Sequence, residues 1–291
     1  MTDSAISLRR RTARGRLSLT RFSVKQVVYA LIALTLSFVF LLPIIWMALA
    51  SFRTIPDLST YPPTLMPRAW TLDNYTQVFK ELPFLRLYRN TFLYAGTVTA
   101  SSLVLDSMAA YALARLRFRG STAVFVIIIV LLMLPFQVTL VPLYQLMHSL
   151  GLINTLPGLI IPRLTNAFGI FFMRQFFLGL PHDLEDAARI DGASEWRIFR
   201  QVIVPLAKPA LLALGLFYFQ GNWNDLIWPL IMTNNVHDGT LPAGLSLFNG
   251  QHNINYGVVM AGSVLSLIPV VLLFLIVQKS FVQGIATTGT K

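Results

Sequence analysis

The chain has 291 residues, of which 55% are hydrophobic and only 12% are charged, and its formal net charge is +11. Soluble domains carry about 25% charged residues, so this composition excludes a soluble globular protein and predicts an integral membrane protein. The absence of cysteine excludes disulfides and thiolate metal sites within the chain.

Six apolar runs are long enough to cross a membrane as helices of about 20 residues. They predict an all-α, polytopic membrane bundle of six transmembrane helices, with spans over 27–49, 91–113, 122–143, 156–177, 211–232 and 258–277. Pro135 predicts a kink in the third span. The fourth span has the least regular pattern, because Pro157 and Pro162 lie in it and Arg163 interrupts it, where a long side chain can snorkel to the headgroups.

Lysine and arginine are distributed unevenly among the segments that connect the spans. They cluster before the first span, between the second and third, and between the fourth and fifth, whereas 144–162 and 233–256 contain none. The positive-inside rule places the basic segments and both termini in the cytoplasm. We divide the chain into a cytoplasmic basic N-terminal tail (1–26), the first span with an extracytoplasmic loop (27–90), a core transmembrane domain (91–281) with a cytoplasmic loop (178–208), and a cytoplasmic C-terminal tail (282–291).

Two other interpretations of the basic residues are weaker. They lie in short loops beside apolar spans and do not form one face with interleaved aromatics, so topology and anionic lipid explain them better than nucleic acid does. The first apolar run reaches about 20 residues, longer than the roughly 7 to 15 of a signal-peptide core, and therefore predicts a retained span.

Motifs for chemistry are missing from the sequence. No lysine follows a glycine, which excludes a Walker A phosphate loop, and there is no G-x-S-x-G elbow. The histidines do not have the spacing of a helical metal pair, and they are His148, His182, His237 and His252. The sequence therefore predicts no enzyme, no metal and no cofactor on this chain, and only a weak signal for a metal or proton relay at His237 and Asp238.

The segment Leu184–Pro205 is a charged island between membrane-length apolar runs. Pro181 and Asp183 predict the start of a helix, with Asp183 as N-cap, and Gly192 predicts its end. Ser194 predicts the cap of a second, amphipathic helix. From these features alone, a hairpin on the membrane surface and a helix that docks into a cleft of a partner both remain open.

The island also carries a spaced motif. It consists of Asp186-Ala187-Ala188, then Gly192 after three further residues, then Val202-x-Val204-Pro205 after nine more. This pattern resembles the E-A-A-x3-G-x9-I-x-L-P signature of ABC importer permeases, with aspartate for glutamate and valine for isoleucine and leucine. Other segments are similar to the carbohydrate-importer branch and its maltose-type second permease, namely 61–67 with 74–75, 109–115, 223–225 and the tail 284–291.

The resemblance implies a type I ABC importer permease fold and a permease subunit of a binding-protein-dependent importer, for a carbohydrate, in a bacterial-type cytoplasmic (inner) membrane. It implies four kinds of partner: a second permease subunit, two ATP-binding cassette ATPase subunits, an extracytoplasmic solute-binding protein and the lipid bilayer. ATP and Mg would be bound by the ATPase subunits. The implied ATPase-coupling loop comprises Glu185, Asp186, Ala187, Ala188, Asp191, Gly192, Ala193 and Pro205, with Glu185 able to share the acidic role of Asp186.

Polar residues inside spans are costly and usually face the interior of a bundle. This principle selects candidates for lining the translocation path, forming a gate or bracing helices, and they are Asp106, Asn222, Asn224 and Asp225. Trp223 is added to them because it belongs to the segment 223–225 that carries the resemblance. A stand-alone channel or facilitator is the alternative function, but a channel has no use for a spaced docking motif. An intramembrane enzyme would need a catalytic cluster that the sequence does not contain.

Overall fold

The computed structural model describes residues 24–62, 64, 66–249 and 255–288. Within these residues the regular structure is helical, and the only strand-like pairing is an isolated antiparallel bridge between Arg53 and Trp70. The all-α prediction is confirmed for this part of the chain.

The α-helices in chain order are α1 (Val24–Ala50), α2 (Ile55–Leu58), α3 (Asp73–Glu81), α4 (Phe84–Arg115), α5 (Ser121–Met133), α6 (Phe136–Ser149), α7 (Leu156–Ile160), α8 (Ala167–Leu178), α9 (Asp183–Ile190), α10 (Glu195–Ile198), α11 (Val204–Leu206), α12 (Lys208–Trp223), α13 (Ile227–Met232), α14 (Leu241–Ser246) and α15 (Tyr256–Thr288). Short 3-10 turns cover Ile161–Arg163, Val236–Asp238 and Leu247–Asn249, and a π turn covers Phe199–Ile203.

Three helices in the described residues are long and apolar enough to cross a membrane alone, namely α1, α4 and the Tyr256–Gln278 part of α15. Three further helix pairs meet the same requirement only as bent spans: α5 with α6 (100°), Leu156–Arg163 with α8 (41°), and Glu195–Leu206 with α12 (78°). By length and composition the described residues thus have up to six spans, the predicted number, although the last pair includes Glu195–Leu206 of the predicted cytoplasmic loop where the sequence predicts a span over 211–232.

The third span breaks at Pro135, where the sequence predicts a kink. α5 ends at Met133 and α6 starts at Phe136, with an angle of 100° between them. Proline has no N–H to continue the helical ladder, and the N–H of Leu134 donates to the Leu131 carbonyl instead, at 3.3 Å. α5 alone is about 20 Å long, too short for a hydrocarbon layer of about 30 Å.

The fourth and fifth spans are interrupted as well. Asn166 lies in the break before α8, and its side chain caps that helix by accepting the Phe168 N–H at 2.9 Å. The predicted fifth span, 211–232, is divided: α12 starts earlier, at Lys208, and residues 224–226 separate it from α13. Polar residues therefore lie at the breaks, where backbone groups need partners.

The described residues divide into two compact units, one that ends at Trp46 and one that begins at Met47. In the first unit, the apolar side chains of α1 are exposed, with Leu34 at 70% and Phe40 at 77%. In the second, similar apolar exposure occurs on α5 and α12, as at Ile127 (59%) and Phe217 (61%). Such surface faces lipid or another subunit, because water cannot cover it without a large free-energy cost.

A buried core joins the charged loop to the bundle. Met173 and Phe177 of α8, Ile198 and Ile203 of the loop, and Leu214 of α12 are each at most 1% exposed. Burial of one such side chain stabilises a fold by about 1.5–3 kcal/mol. This core holds the loop on the ends of α8 and α12.

Candidate functional site

The first helix of the charged loop is α9. His182 is its N-cap residue, and Asp183 is the first helical residue, so the predicted cap was wrong by one position. Asp183, Glu185 and Asp186 lie in the first turn, where negative charge interacts favourably with the helix dipole. The predicted end is confirmed: α9 stops just before Gly192, which has φ of +78°, a conformation that strains any residue with a side chain.

The second helix begins as predicted, with the Ser194 hydroxyl accepting the Arg197 N–H at 3.4 Å. This helical segment continues through the π turn into α11. Pro205 therefore lies inside α11 and does not end the segment, which Ala207 separates from α12. The π turn comes directly before Pro205, whose missing N–H removes one bond of the regular ladder.

A buried ion pair fastens α9 to the end of α4. Glu185 Oε1 lies 3.0 Å from Arg115 Nε, and neither side chain is exposed. Arg115 also donates to the carbonyls of Phe177 and Leu180 and contacts the ring of His182. Of the two adjacent acidic residues, Glu185 therefore faces the protein interior, whereas the side chain of Asp186 is 63% exposed.

Arg189 joins the two helices of the loop. Its guanidinium contacts Glu185 at 3.3 Å, Asp186 at 2.9 Å and Glu195 at 2.9 Å. The Tyr111 hydroxyl, near the end of α4, donates to the other oxygen of Glu195 at 2.7 Å. The hydrogen bond from Arg189, followed by the one from Tyr111, holds the pKa of Glu195 below its ordinary value against the opposing effect of desolvation.

This lowered pKa predicts that the loop loosens in acid. Glu195 contributes stability above its ordinary pKa of 4.5, and the contribution is lost as pH falls below that value and the carboxylate is protonated. Hydrogen-exchange protection factors for 183–205 should therefore decrease between pH 6 and pH 3.5. In Glu195→Gln they should be lower at pH 6 and change less over the same interval; an equal acid-dependent decrease in both proteins would contradict the prediction.

The opposite face of α9 is open and carries apolar side chains. Ile190 is 87% exposed and Leu184 is 45% exposed, with Ala187 exposed between them. Beside this face a cleft of about 200 Å³ separates the two loop helices and is lined by Ala188, Asp191, Ala193, Arg197, Ile198, Gln201 and Val202. Sequence reasoning missed Ile190, although an apolar residue within the spacing between Ala188 and Gly192 is a signal that could have identified it.

A second polar cluster lies within the bundle, around Asp106. This residue is fully buried; its Oδ1 accepts the Thr165 hydroxyl at 2.6 Å and the Asn166 N–H at 3.0 Å. Its Oδ2 accepts the Tyr218 hydroxyl. The carboxylate thus connects α4, the break before α8, and α12.

The other candidates for the translocation path lie around the end of α12. Trp223 is fully buried and donates to the Ser266 carbonyl at 3.0 Å, and Asn222 donates to the Tyr218 carbonyl at 2.8 Å. Asn224 is exposed. Asp225 accepts a hydrogen bond from Arg163 at 3.0 Å, so the guanidinium of Arg163 has a carboxylate partner within the protein.

On the side predicted to be extracytoplasmic, the weak signal at His237 and Asp238 has a structural explanation. Arg86 pairs with Asp238 at 3.0 Å, and Asn90 donates to the carbonyls of His237 (3.2 Å) and Gly239 (3.1 Å). These contacts tie the start of α4 to the loop before α14. His252 lies outside the described residues, and among those that are described no group of three or more acidic or histidine side chains could hold a metal ion.

The sequence matches a family model described as the inner membrane component of binding-protein-dependent transport systems, over residues 102–287. The chain belongs to this family. Membership confirms the resemblance found in the charged island, which lies inside the matched region.

Individual members of the family show how far the similarity extends. The chain is 36% identical to the arabinooligosaccharides transport system permease protein AraQ of Halalkalibacterium halodurans, over 88% of this chain and 93% of the relative. It is 34% identical to the trehalose/maltose transport system permease protein MalG of Thermococcus litoralis, over 92% of this chain and 98% of the relative. Both relatives are transport permeases.

A solved structure is similar over nearly its whole length. The chain superimposes with a TM-score of 0.77 on a chain from the crystal structure of a bacterial ABC transporter involved in the import of the acidic polysaccharide alginate, at 28% identity, covering 89% of this chain and 99% of the other. The fold is therefore that of an ABC importer permease.

Proposed function

We propose that the chain is one of two unlike permease subunits that form the translocation path of a binding-protein-dependent ABC importer for a carbohydrate. The observation that carries the proposal is the two-sided helix α9. Its inner face is fixed by the buried Arg115–Glu185 pair, and its outer face exposes Leu184 and Ile190. A surface of this kind fits a docking helix, since its apolar residues need a partner and its inner contacts keep it rigid.

Rigidity matters because the energy for import has to arrive from another chain. ATP and Mg bind to the two ATPase subunits, and a groove of one of these receives α9. Closure of the ATPase dimer then moves the loop, and the pair Arg115–Glu185 transmits the movement to α4 as a rigid-body displacement. The chain itself hydrolyses nothing, and both of its termini lie in the cytoplasm.

The carbohydrate class is supported by the relatives and the solved structure, whose names refer to arabinooligosaccharides, trehalose or maltose, and alginate. An extracytoplasmic solute-binding protein delivers the sugar to the loops at the other end of α4. Asn224, exposed directly after the end of α12, is the residue we assign to the path. Asp106, Asn222, Trp223 and Asp225 brace the helices around it or form a gate.

The docking role predicts that an ATPase subunit purifies together with the chain, and that changes in α9 weaken this association. A C-terminally tagged chain should recover an ATPase subunit from membranes, and Ile190→Asp or Ala188→Arg should reduce that recovery about tenfold or more, because central interface residues contribute about 2 kcal/mol or more. Phe118→Asp is the matched control, since Phe118 is 44% exposed on the same side of the predicted bundle but lies outside the loop.

Mass spectrometry identifies the recovered chains, and the quantity compared is the ratio of ATPase subunit to tagged chain. If the unaltered chain comes out of the membrane alone, the importer proposal is wrong and the stand-alone channel becomes the better explanation. Equal loss of the ATPase in Phe118→Asp would show that the effect is not specific to α9.

A further inference from the structure

Three interrupted spans meet at one side chain, Arg163. It ends the 3-10 turn before the break that precedes α8. Its Cζ lies 3.8 Å from the ring centroid of Phe136, the first residue of α6 after the break at Pro135. Its terminal nitrogen lies 3.0 Å from Oδ2 of Asp225, in the break between α12 and α13.

The carboxylate of Asp225 extends this junction to the continuous helix α4. The same Oδ2 accepts the hydroxyl of Tyr94, a fully buried residue of α4, at 2.9 Å. Oδ1 accepts the backbone N–H of Trp228 at 3.4 Å, near the start of α13. One ion pair therefore links the 3-10 turn that carries Arg163 to three helices, α4, α6 and α13.

The half-helices beyond the junction pack together, and we call α6, α7 and α13 the outer cap. Met147, Leu159, Trp228 and Met232 are at most 3% exposed and form one apolar cluster with Tyr94 and Val98 of α4. The Trp228 indole N–H donates to the Leu159 carbonyl at 3.2 Å. Each of the three helices is too short to cross the membrane alone, so the position of the cap depends on its contacts with α4.

The side chains of Arg163 and Asp225 are 23% and 14% exposed. A partly buried charge without a partner is unfavourable inside a membrane. Charged groups that do occur there have a partner and usually a function. If Arg163 and Asp225 only filled space, apolar residues of similar volume would serve as well. A charge pair at the meeting point of all three breaks indicates a fixed connection with a defined geometry.

We propose that Arg163 is a positioning residue for transport: its ion pair with Asp225 and its contact with Phe136 fasten the outer cap to α4, so that the cap follows α4 as one body. This inference rests on the proposed function, because α4 is moved at its other end by the loop that docks on the ATPase. Arg163 and Asp225 act on the shape of the path and not on the sugar itself.

The test uses the complete transporter in proteoliposomes, with ATP-dependent uptake of labelled sugar as the measurement. Arg163→Met and Asp225→Asn should each lower the uptake rate about tenfold, a change of about 1.4 kcal/mol, with ATPase subunits still recovered in the usual ratio. Arg174→Met is the matched control: Arg174 stacks on Phe125 at 3.7 Å and donates to a backbone carbonyl, but has no carboxylate partner among the residues that the structure describes. It should retain uptake.

A second readout reports the cap directly. The chain has no cysteine, so spin labels at Ser149→Cys on α6 and Leu230→Cys on α13 are the only ones it carries. The distance distribution between them should broaden in Arg163→Met and stay narrow in Arg174→Met. The exchanged pair Arg163→Asp with Asp225→Arg should recover part of the uptake lost in either single variant.

Unchanged uptake and an unchanged distance distribution in Arg163→Met would overturn the proposal. The same holds if Arg174→Met is as defective as Arg163→Met. If the unaltered complex shows no ATP-dependent uptake, the proposed function is wrong, while the spin-label comparison still decides whether Arg163 fastens the cap. If Arg163→Met does not assemble, Arg163→Lys, which keeps the charge, should assemble and show a smaller loss.

Discussion

Replacing Glu185 with leucine should abolish ATP-driven uptake, whereas replacing the adjacent Asp186 with asparagine should leave the fold intact. Glu185→Leu leaves the guanidinium of Arg115 buried without its carboxylate, and breaking a buried pair costs about 3–5 kcal/mol. Asp186 is 63% exposed and, among the described residues, pairs with Arg189; such surface pairs contribute about 0–1 kcal/mol. Uptake and the thermal unfolding temperature of the purified complex measure the difference.

A double variant separates charge from packing. Arg115→Met with Glu185→Leu removes both charges at once, and it should be more stable than Glu185→Leu alone because no buried ion is left without a partner. The prediction is wrong if Glu185→Leu and Asp186→Asn unfold at the same temperature and import at the same rate. Docking on the ATPase is scored separately, by co-purification, because Asp186 lies on the exposed side of α9.

The second large effect is expected at Gly169, on the first turns of α8. A β-carbon added there would overlap the hydroxyl of Tyr218 and lie beside Oδ2 of Asp106. Gly169→Ala therefore displaces the tyrosine and removes a hydrogen bond to a buried carboxylate, a loss of about 1.5–3 kcal/mol in addition to about 1–3 kcal/mol from overpacking. The unfolding temperature of the complex should fall markedly, and uptake should fall with it.

Gly96→Ala supplies the matched control. Gly96 lies in α4, and a β-carbon added there meets nothing within 4 Å. In a helix interior this change is neutral or stabilises by up to about 1 kcal/mol. If Gly169→Ala unfolded at the temperature of Gly96→Ala, the close contact between α8 and α12 would not be present in the protein, and Tyr218 would need a different partner.

Local sequence signals predicted a large part of the loop and of the bundle. The six apolar runs, the cap at Ser194 and the helix end at Gly192 depend only on residues within a few positions of each other. The spaced alanines and glycine could be recognised for the same reason. The error at Asp183 is one residue, within the usual uncertainty of a helix boundary.

Contacts between distant segments could not be predicted in this way. Glu185 and Asp186 are adjacent carboxylates, and which of them faces inward depends on Arg115, 70 residues earlier in the chain. The partnership of Arg163 with Asp225 similarly joins two breaks that are 62 residues apart. A pattern of apolar and polar residues gives the period of a helix, but it does not give the helix that packs on each face.

The helix α4 has one more consequence for how the two ends of the molecule communicate. It is continuous over 32 residues without a proline, and polar contacts hold it near its start at Asn90, in its second half at Asp106 and at its end at Arg115. Measured from Asp106, its two arms are roughly 33 Å and roughly 14 Å long. A tilt about Asp106 would work as a lever with unequal arms: a shift of about 1 Å at Arg115, beside the charged loop, becomes roughly 2.4 Å at Phe84, the other end of α4.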